Sequence, residues 1–174
     1  MKTYSLAYGS GQIQMNLDER HLIARLEGNA VPPMPDIASG LRAALDAPVG
    51  MPPLRAWLKA GDRVALVISD MSRFWMRQDL VIPHLVAYMN ESGVPDEDIV
   101  IIVANGTHAG GDEKELRTLV TDGIFDRIRV VNHDCLAPDL VYMGMTPHGT
   151  PVYVNALAAR ADKVVCLGAC THHV

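Results

Sequence analysis

Polar side chains that could take part in catalysis or ligand binding follow three apolar segments of this sequence, directly after each segment ends. Asp70 and Arg73 follow the first segment, His108 follows the second, and His172 and His173 follow the third. A histidine, with an ordinary pKa of about 6.5, exchanges protons at neutral pH. An arginine guanidinium binds a carboxylate or phosphate through two parallel hydrogen bonds. These residues are therefore candidates for acid–base catalysis and anion binding.

The three apolar segments are typical of buried β-strands. Residues 63–68, 100–104 and 163–167 are short and rich in β-branched side chains, as in strands covered on both faces of a parallel sheet. Helical patterns alternate with them, which predicts an α/β fold with a mostly parallel Rossmann-like sheet and helices on both faces. The carboxyl ends of such strands meet at one edge of the sheet, where open α/β folds bind ligands.

The sequence predicts a small N-terminal part and one main domain. Residues 1–30 contain alternating segments at 12–17 and 22–26, typical of antiparallel strands, and we expect them to pack on the main domain. Residues 31–174 form the predicted α/β domain, beginning with a proline-rich linker and a helix capped by Asp36.

Further elements are predicted between the three strands. Helices are expected over 78–92 and 112–121, a hairpin across 147–150, and a short helix over 156–160. A fourth strand is expected over 127–131.

Structural interpretations of the polar residues remain open from spacing alone. Asp70 and Arg73 are also consistent with a surface ion pair and a helix cap, and His108 with a cap on the helix that starts at Asp112. Small residues flank His108, so that backbone and ligand can approach closely: Gly106, Ala109, Gly110 and Gly111.

The cysteines and histidines near the end of the chain do not predict a metal site. The spacing Cys166-x-x-x-Cys170-x-His172-His173 matches no standard zinc pattern, and Cys166 is expected to point from its strand into the core. The sequence also lacks the glycine-rich fingerprints of dinucleotide and P-loop sites.

Composition narrows the class of protein. The 174 residues carry a formal net charge of −5 with no basic cluster, which argues against nucleic-acid binding. No apolar run reaches the roughly 18 residues that span a bilayer, and the N-terminus lacks the apolar core of a secretory signal. Three cysteines are an odd, sparse set, typical of reduced thiols. We therefore expect a cytoplasmic protein without membrane or nucleic-acid partners.

Four segments, in order, resemble motifs of the nickel-pincer-nucleotide lactate racemase family. Residues 67–73, VISDMSR, resemble its strand and SDxTRP loop, and 101–108, IIVANGTH, resemble its ILVATGxHR segment. Residues 44–50 and 168–173 also match. The resemblance runs from about Tyr8 to the end of the chain and covers only the N-terminal part of the family.

The resemblance implies an isomerase, a racemase or epimerase of 2-hydroxy acids. In that family a nickel complex of a pyridinium-derived mononucleotide accepts hydride from the substrate's α-carbon while a base takes the hydroxyl proton. By resemblance, His108 and His173 are the two acid/base residues, one for each enantiomer. Arg73 would bind the substrate carboxylate and also contact the cofactor. Asp70 would contact the cofactor or orient Arg73.

The resemblance also implies that part of the machinery lies elsewhere. The lysine that attaches the cofactor and the histidine that ligates nickel lie beyond Val174 in the family, so a C-terminal domain absent from this chain is an expected partner. Phe74 stands where the family has proline, and Ala109 where it has arginine.

Two other functions remain open. The first is a non-catalytic α/β module that binds a small molecule or nucleotide, and the second is a domain that completes an oligomer. The sequence fixes neither the 2-hydroxy acid nor the oligomeric state.

Overall fold

The N-terminal part of the chain is a hairpin. Residues 1–170 are described by a computed structural model, in which Met1–Pro33 forms one unit and the chain from Met34 onward forms another. In the first unit, β1 (Lys2–Tyr8) pairs antiparallel with β2 (Gly11–Leu17). The small antiparallel N-terminal segment is therefore confirmed.

A second predicted strand in this unit is absent. Residues 22–26 form no strand, because their alternating pattern finds no partner: the sheet consists of β1 and β2 alone. That residues 1–30 pack on the main domain stays a prediction.

The second unit is built around a four-stranded parallel sheet. Its strands are β3 (Val64–Ser69), β4 (Ile99–Ala104), β5 (Arg129–Asn132) and β8 (Lys163–Leu167). They lie side by side in the order β5-β4-β3-β8, and every pair is parallel. The predicted α/β class with a mostly parallel sheet is confirmed.

Six α-helices lie in the described part of this unit, most of them near the predicted positions. They are α1 (Ile37–Asp46), α2 (Leu54–Trp57), α3 (Ile82–Glu91), α4 (Glu113–Val120), α5 (Asp122–Phe125) and α6 (Ala156–Arg160). Asp36 caps α1 as predicted, since its carboxylate accepts from the backbone N–H groups of Ala38 and Ser39.

The helix predicted over residues 78–92 begins later than expected. Gln78–Leu80 is a separate 3₁₀ turn, and α3 starts at Ile82 with Pro83 in its first turn. Proline lacks the N–H that an interior helical position donates, and its ring clashes with the preceding turn. The proline therefore sets the start of α3.

The core lies on one face of the sheet. Alternate residues of the central strands point to this face, as the period of two requires; on β3 they are Val64, Leu66 and Ile68, each at most 1% exposed. They pack in one cluster with side chains of α3, α4 and α5, including Met89, Leu119 and Ile124.

The second face is covered by the connection from β5 to β8. This connection contains the antiparallel hairpin of β6 (Val141–Met145) and β7 (Pro151–Val154), followed by α6. Because it runs back across the sheet, a right-handed crossover places it on the face opposite α3 and α4. Ala65 and Ile102 on that face are buried, as is Ala156 of α6, in agreement with a covering layer that includes α6.

At β8 the second face is open. Val164 is 43% exposed and Cys166 is exposed. The expectation that Cys166 points into the core is therefore wrong. The register pairs Cys166 with Val67 of β3, and both lie on the face away from the main core.

No helix among residues 1–170 is both long enough and apolar enough to cross a bilayer.

An ion pair ties the amino ends of β3 and β8 together. The Asp162 carboxylate accepts from the backbone N–H of Arg63 at 2.9 Å and from its Nε at 2.9 Å. The side-chain hydrogen bond from Arg63 is the main cause that lowers the pKa of Asp162 to about 2.

The first prediction concerns acid stability. A carboxyl with a lowered folded-state pKa stabilises the fold above its unfolded-state pKa of about 3.9, and this stabilisation is lost as the pH falls through the folded-state value. Asp162→Asn should therefore be less stable than the natural chain at neutral pH, and the difference should vanish as the pH falls from about 4 to about 2. Denaturant titrations across this range measure the difference in free energy of unfolding.

Asp139→Asn, at an exposed carboxylate, is the matched control, and its difference from the natural chain should not change in this way with pH. A stability difference for Asp162→Asn that stays constant with pH would contradict the prediction.

Candidate active site

Two loops leave the sheet side by side at its carboxyl edge. Ser69, the last residue of β3, pairs in register with Ala104, the last residue of β4. Asp70 begins the first loop and His108 lies in the second, so parallel pairing alone brings their backbones to the same edge. This agrees with the expected position of the site.

The turn that carries His108 depends on a glycine. The His108 N–H donates to the Asn105 carbonyl at 3.0 Å, and between them Gly106 adopts a φ of +60°. L-residues with a side chain rarely adopt this conformation. No atom lies within 4 Å of where a Gly106 Cβ would stand, so glycine is required here by backbone conformation and not by crowding.

Asp70 and His108 form a direct pair. His108 Nδ1 lies 2.6 Å from Asp70 Oδ2. The Asp70 side chain is 12% exposed, whereas that of His108 is 59% exposed. An ionised carboxylate only accepts hydrogen bonds, so Nδ1 carries the proton and donates. In the neutral ring, Nε2 is then an unprotonated acceptor and is free to take a proton.

Asp70 remains ionised at neutral pH despite its partial burial. Burial is the largest single influence and would raise the pKa of Asp70, but the hydrogen bonds from Ser72 and His108 and the charge of His108 together outweigh it. The net effect holds the pKa of Asp70 below its ordinary value.

A continuous chain of hydrogen bonds links Arg73 to this pair. Ser72 Oγ donates to Asp70 Oδ1 at 2.6 Å, and Arg73 Nη1 donates to Ser72 Oγ at 3.1 Å. Within the described residues Arg73 is exposed and has no carboxylate in ion-pair contact. Most of its N–H donors are thus available to an anion.

Neither structural interpretation of these residues is observed. Asp70 contacts His108 and Ser72, not Arg73. The cap of α4 is Asp112, whose carboxylate accepts from the Glu115 N–H at 2.8 Å.

Sequence reasoning missed two amides that hold the loops. Gln78 is 2% exposed and its Nε2 donates to the Ser69 carbonyl at 2.7 Å, which fixes the start of the Asp70 loop. Asn132, the last residue of β5, contacts Gly111 at the far end of the His108 loop. For Asn132 the available signal is an amide residue at a strand end, but its partner is set by tertiary packing; Gln78, nine residues after β3, offers no such signal.

Two buried amide oxygens at this edge lack a donor. Gln78 Oε1 and Asn105 Oδ1 are inaccessible to solvent and have no hydrogen-bond partner among residues 1–170. Buried polar atoms in folded proteins are nearly always paired.

His172 and His173 lie outside the described residues. The strand that leads to them, β8, lies beside β3 and ends with Leu167 opposite Ile68, so its carboxyl end reaches the same edge as Asp70.

The described part of the chain holds no group of three or more His, Cys, Asp or Glu side chains arranged as metal ligands. Cys135, Cys166 and Cys170 are all free thiols.

Comparisons with known proteins agree on one family. The family model described as the lactate racemase N-terminal domain matches residues 8–174. The lactate racemase of Lactiplantibacillus plantarum is 24% identical over 176 residues, covering 99% of this chain and 41% of the relative. That of Thermoanaerobacterium thermosaccharolyticum is 20% identical, covering 97% of this chain and 40% of the relative.

A solved structure shows the same fold. The lactate racemase apoprotein from Thermoanaerobacterium thermosaccharolyticum superposes with a TM-score of 0.77 at 20% identity, over 95% of this chain and 38% of that one. This chain thus spans about two fifths of the length of these relatives. The predicted resemblance is confirmed, and the chain belongs to the lactate racemase N-terminal domain family.

Proposed function

We propose that the protein containing this chain is a racemase or epimerase that interconverts the configurations of a 2-hydroxy acid. The observation that carries the proposal is the Asp70–His108 pair, with the available Arg73 guanidinium linked to it through Ser72. Family membership supports an isomerase. Since the chain spans about two fifths of its relatives, the remaining parts of the reaction are assigned to residues outside it.

His108 acts as an acid/base on the substrate hydroxyl. Asp70 holds the proton on Nδ1, so that Nε2 faces outward as the base. When Nε2 takes the hydroxyl proton, the imidazolium that forms is stabilised by the adjacent carboxylate. On return, Nε2 donates the proton back to oxygen.

A second acid/base is needed for the other configuration. The intermediate 2-keto acid is planar at the carbon that reacts, and the two enantiomers present their hydroxyl groups on opposite sides. A single imidazole fixed on one side serves only one of them. We assign the second role to His173, as the family resemblance implies.

Arg73 binds the substrate carboxylate. Its planar guanidinium matches the two oxygens of a carboxylate in a bidentate pair. Because Nη1 also contacts Ser72, which in turn contacts Asp70, the carboxylate-binding group and the acid/base are held in one hydrogen-bonded unit.

The residues at this edge fit the organic part of the family's cofactor. When bound, the nickel-pincer nucleotide supplies a reversible acceptor for the hydride of the α-carbon. Arg73 and Asp70 offer an anion-binding group and an acceptor, and the unpaired oxygens Asn105 Oδ1 and Gln78 Oε1 mark a polar site that lacks donors. Residues 1–170 supply no ready set of protein ligands for nickel, which we assign to the longer protein.

We place this reaction in the cytoplasm. All three cysteines are free, two of them exposed, and exposed unpaired thiols are typical of a reducing compartment.

The test of the function is loss of His108. In the complete gene product, produced in cells that make the cofactor, His108→Gln should lower interconversion of lactate enantiomers by at least about a hundredfold, since general acid–base catalysis contributes on this order. Chiral chromatography of product formed from either enantiomer measures it. His84→Gln, at an exposed histidine of α3, is the control and should keep its activity. Natural turnover by His108→Gln would refute the acid/base role; no turnover by the natural protein with any 2-hydroxy acid would refute the proposed reaction.

The role of Asp70 has its own test. Asp70→Asn removes the charge that stabilises the imidazolium, so kcat should fall by about tenfold or more while the protein stays folded. Ser72→Ala removes only one of the two hydrogen bonds to Asp70 and leaves the His108 contact, so its loss should be clearly smaller. Steady-state kinetics of both variants measure the difference. Equal losses would show that Asp70 does not act through His108.

A further inference from the structure

Asn132 contacts the loop that carries His108 from a neighbouring strand. Its Oδ1 accepts from the Gly111 N–H at 3.1 Å, and its Nδ2 donates to the Gly111 carbonyl at 2.8 Å. One side-chain amide therefore satisfies both polar backbone groups of a single residue, as a paired strand would do. We infer that Asn132 is a positioning residue that sets the place of His108 by fixing the end of its loop.

The place of Asn132 is itself well determined. It is the final residue of β5 and pairs in register with Val103 of β4, and the next residue, His133, donates its N–H to the Val103 carbonyl at 2.9 Å. The amide is thus anchored on the strand from which the His108 loop departs. A side chain on a rigid strand holds a loop more precisely than another loop would.

The small residues after His108 make this contact possible. A Cβ at Gly110 would stand 3.0 Å from the Asn132 side-chain amide, and a Cβ at Gly111 would stand 3.0 Å from a carboxylate oxygen of Glu115. The sequence suggested that these glycines admit a ligand. The structure shows that they admit the Asn132 and Glu115 side chains; that they also admit a ligand stays a prediction.

With Asn132 in place, the loop is fixed on both sides of His108. Before His108, its N–H closes the turn on the Asn105 carbonyl at 3.0 Å; after it, Gly111 is held by Asn132. The ring itself is tied to Asp70. A loop held at only one end samples many backbone conformations, and a misplacement of about 1 Å can slow a reaction on the order of a hundredfold.

This inference rests on the proposed function of His108, but its first test does not require activity. In the ¹⁵N-labelled 174-residue chain, NMR reports the exchange rates of the Gly111 amide proton and the His108 Nδ1 proton, and the tautomer of the ring. Asn132→Ala removes both hydrogen bonds. Asn132→Asp keeps the size of the side chain and the acceptor for the Gly111 N–H, but places an oxygen opposite the Gly111 carbonyl. It takes the place of the alanine variant in the NMR test if that variant does not fold.

The matched control is Asn155→Ala. Asn155 is also half-buried and makes two side-chain contacts, accepting from the Leu157 N–H at 2.9 Å and lying 3.3 Å from His133 Nδ1. It does not contact the His108 loop. Asn155→Ala therefore reports how much the removal of any side-chain amide from this region changes proton exchange.

We expect Asn132→Ala to speed exchange of the Gly111 amide proton by about tenfold or more, the size of about one lost hydrogen bond. Both Asn132 variants should speed exchange of the His108 Nδ1 proton and give mixed ring tautomers, whereas Asn155→Ala leaves both protons and the tautomer unchanged. In the complete gene product, kcat should fall while KM, set largely by Arg73, changes little. Unchanged His108 exchange and tautomer in folded Asn132 variants would overturn the inference even if stability falls. Absence of racemase activity in the natural protein would refute the proposed function and leave the NMR result standing.

Discussion

The candidate site depends on one partly buried carboxylate. Asp70 accepts from both Ser72 and His108 at 2.6 Å, and these bonds compensate for its removal from water. Without a negative charge at this position, nothing in the described residues would select the tautomer of His108. The carboxylate therefore determines which ring nitrogen meets a substrate. It also explains why the ring can be largely exposed and yet have a defined orientation.

The parallel sheet brings these groups together by having each strand supply one part. β3 delivers Asp70, β4 delivers His108, and β5 delivers Asn132, which holds the loop of β4. Gln78 does for the first loop what Asn132 does for the second, because its amide holds a backbone carbonyl at a strand end. Polar groups at the open edge are thus fixed by amides whose own positions follow from the sheet and its packing.

Much of this arrangement could be predicted from local sequence. The β-branched runs of β3 and β4 predict buried strands, and the residues that follow them predict where Asp70 and His108 lie. The start of α3 was harder to predict. The sequence indicates a helix from Gln78 onward, but Pro83 lies in the first turn of α3 and sets its start at Ile82. The expected burial of Cys166 is wrong because every residue of its strand after Lys163 is apolar, and only the sheet order shows that β8 is an edge strand.

The pairing of Asp70 with His108, and of Asn132 with Gly111, could not be predicted from spacing. These partners are 38 and 21 residues apart, and several polar residues at the same edge were equally plausible partners. The resemblance to a known family supplied roles for Asp70 and Arg73 but gave no sign that Ser72 connects them. That link became visible only with atomic positions.

The position of β8 has a consequence for how the chain folds. β3, β4 and β5 follow one another in sequence through short helical connections, but β8 pairs with β3 across a long stretch. Arg63 and Asp162, at the starts of these strands, are 99 residues apart. Closing a longer loop costs more entropy, and contacts between distant residues form more slowly. The three-stranded part of the sheet is therefore expected to form first. The Asp70–His108 pair is then assembled before β8, the strand that leads to His172 and His173, has docked.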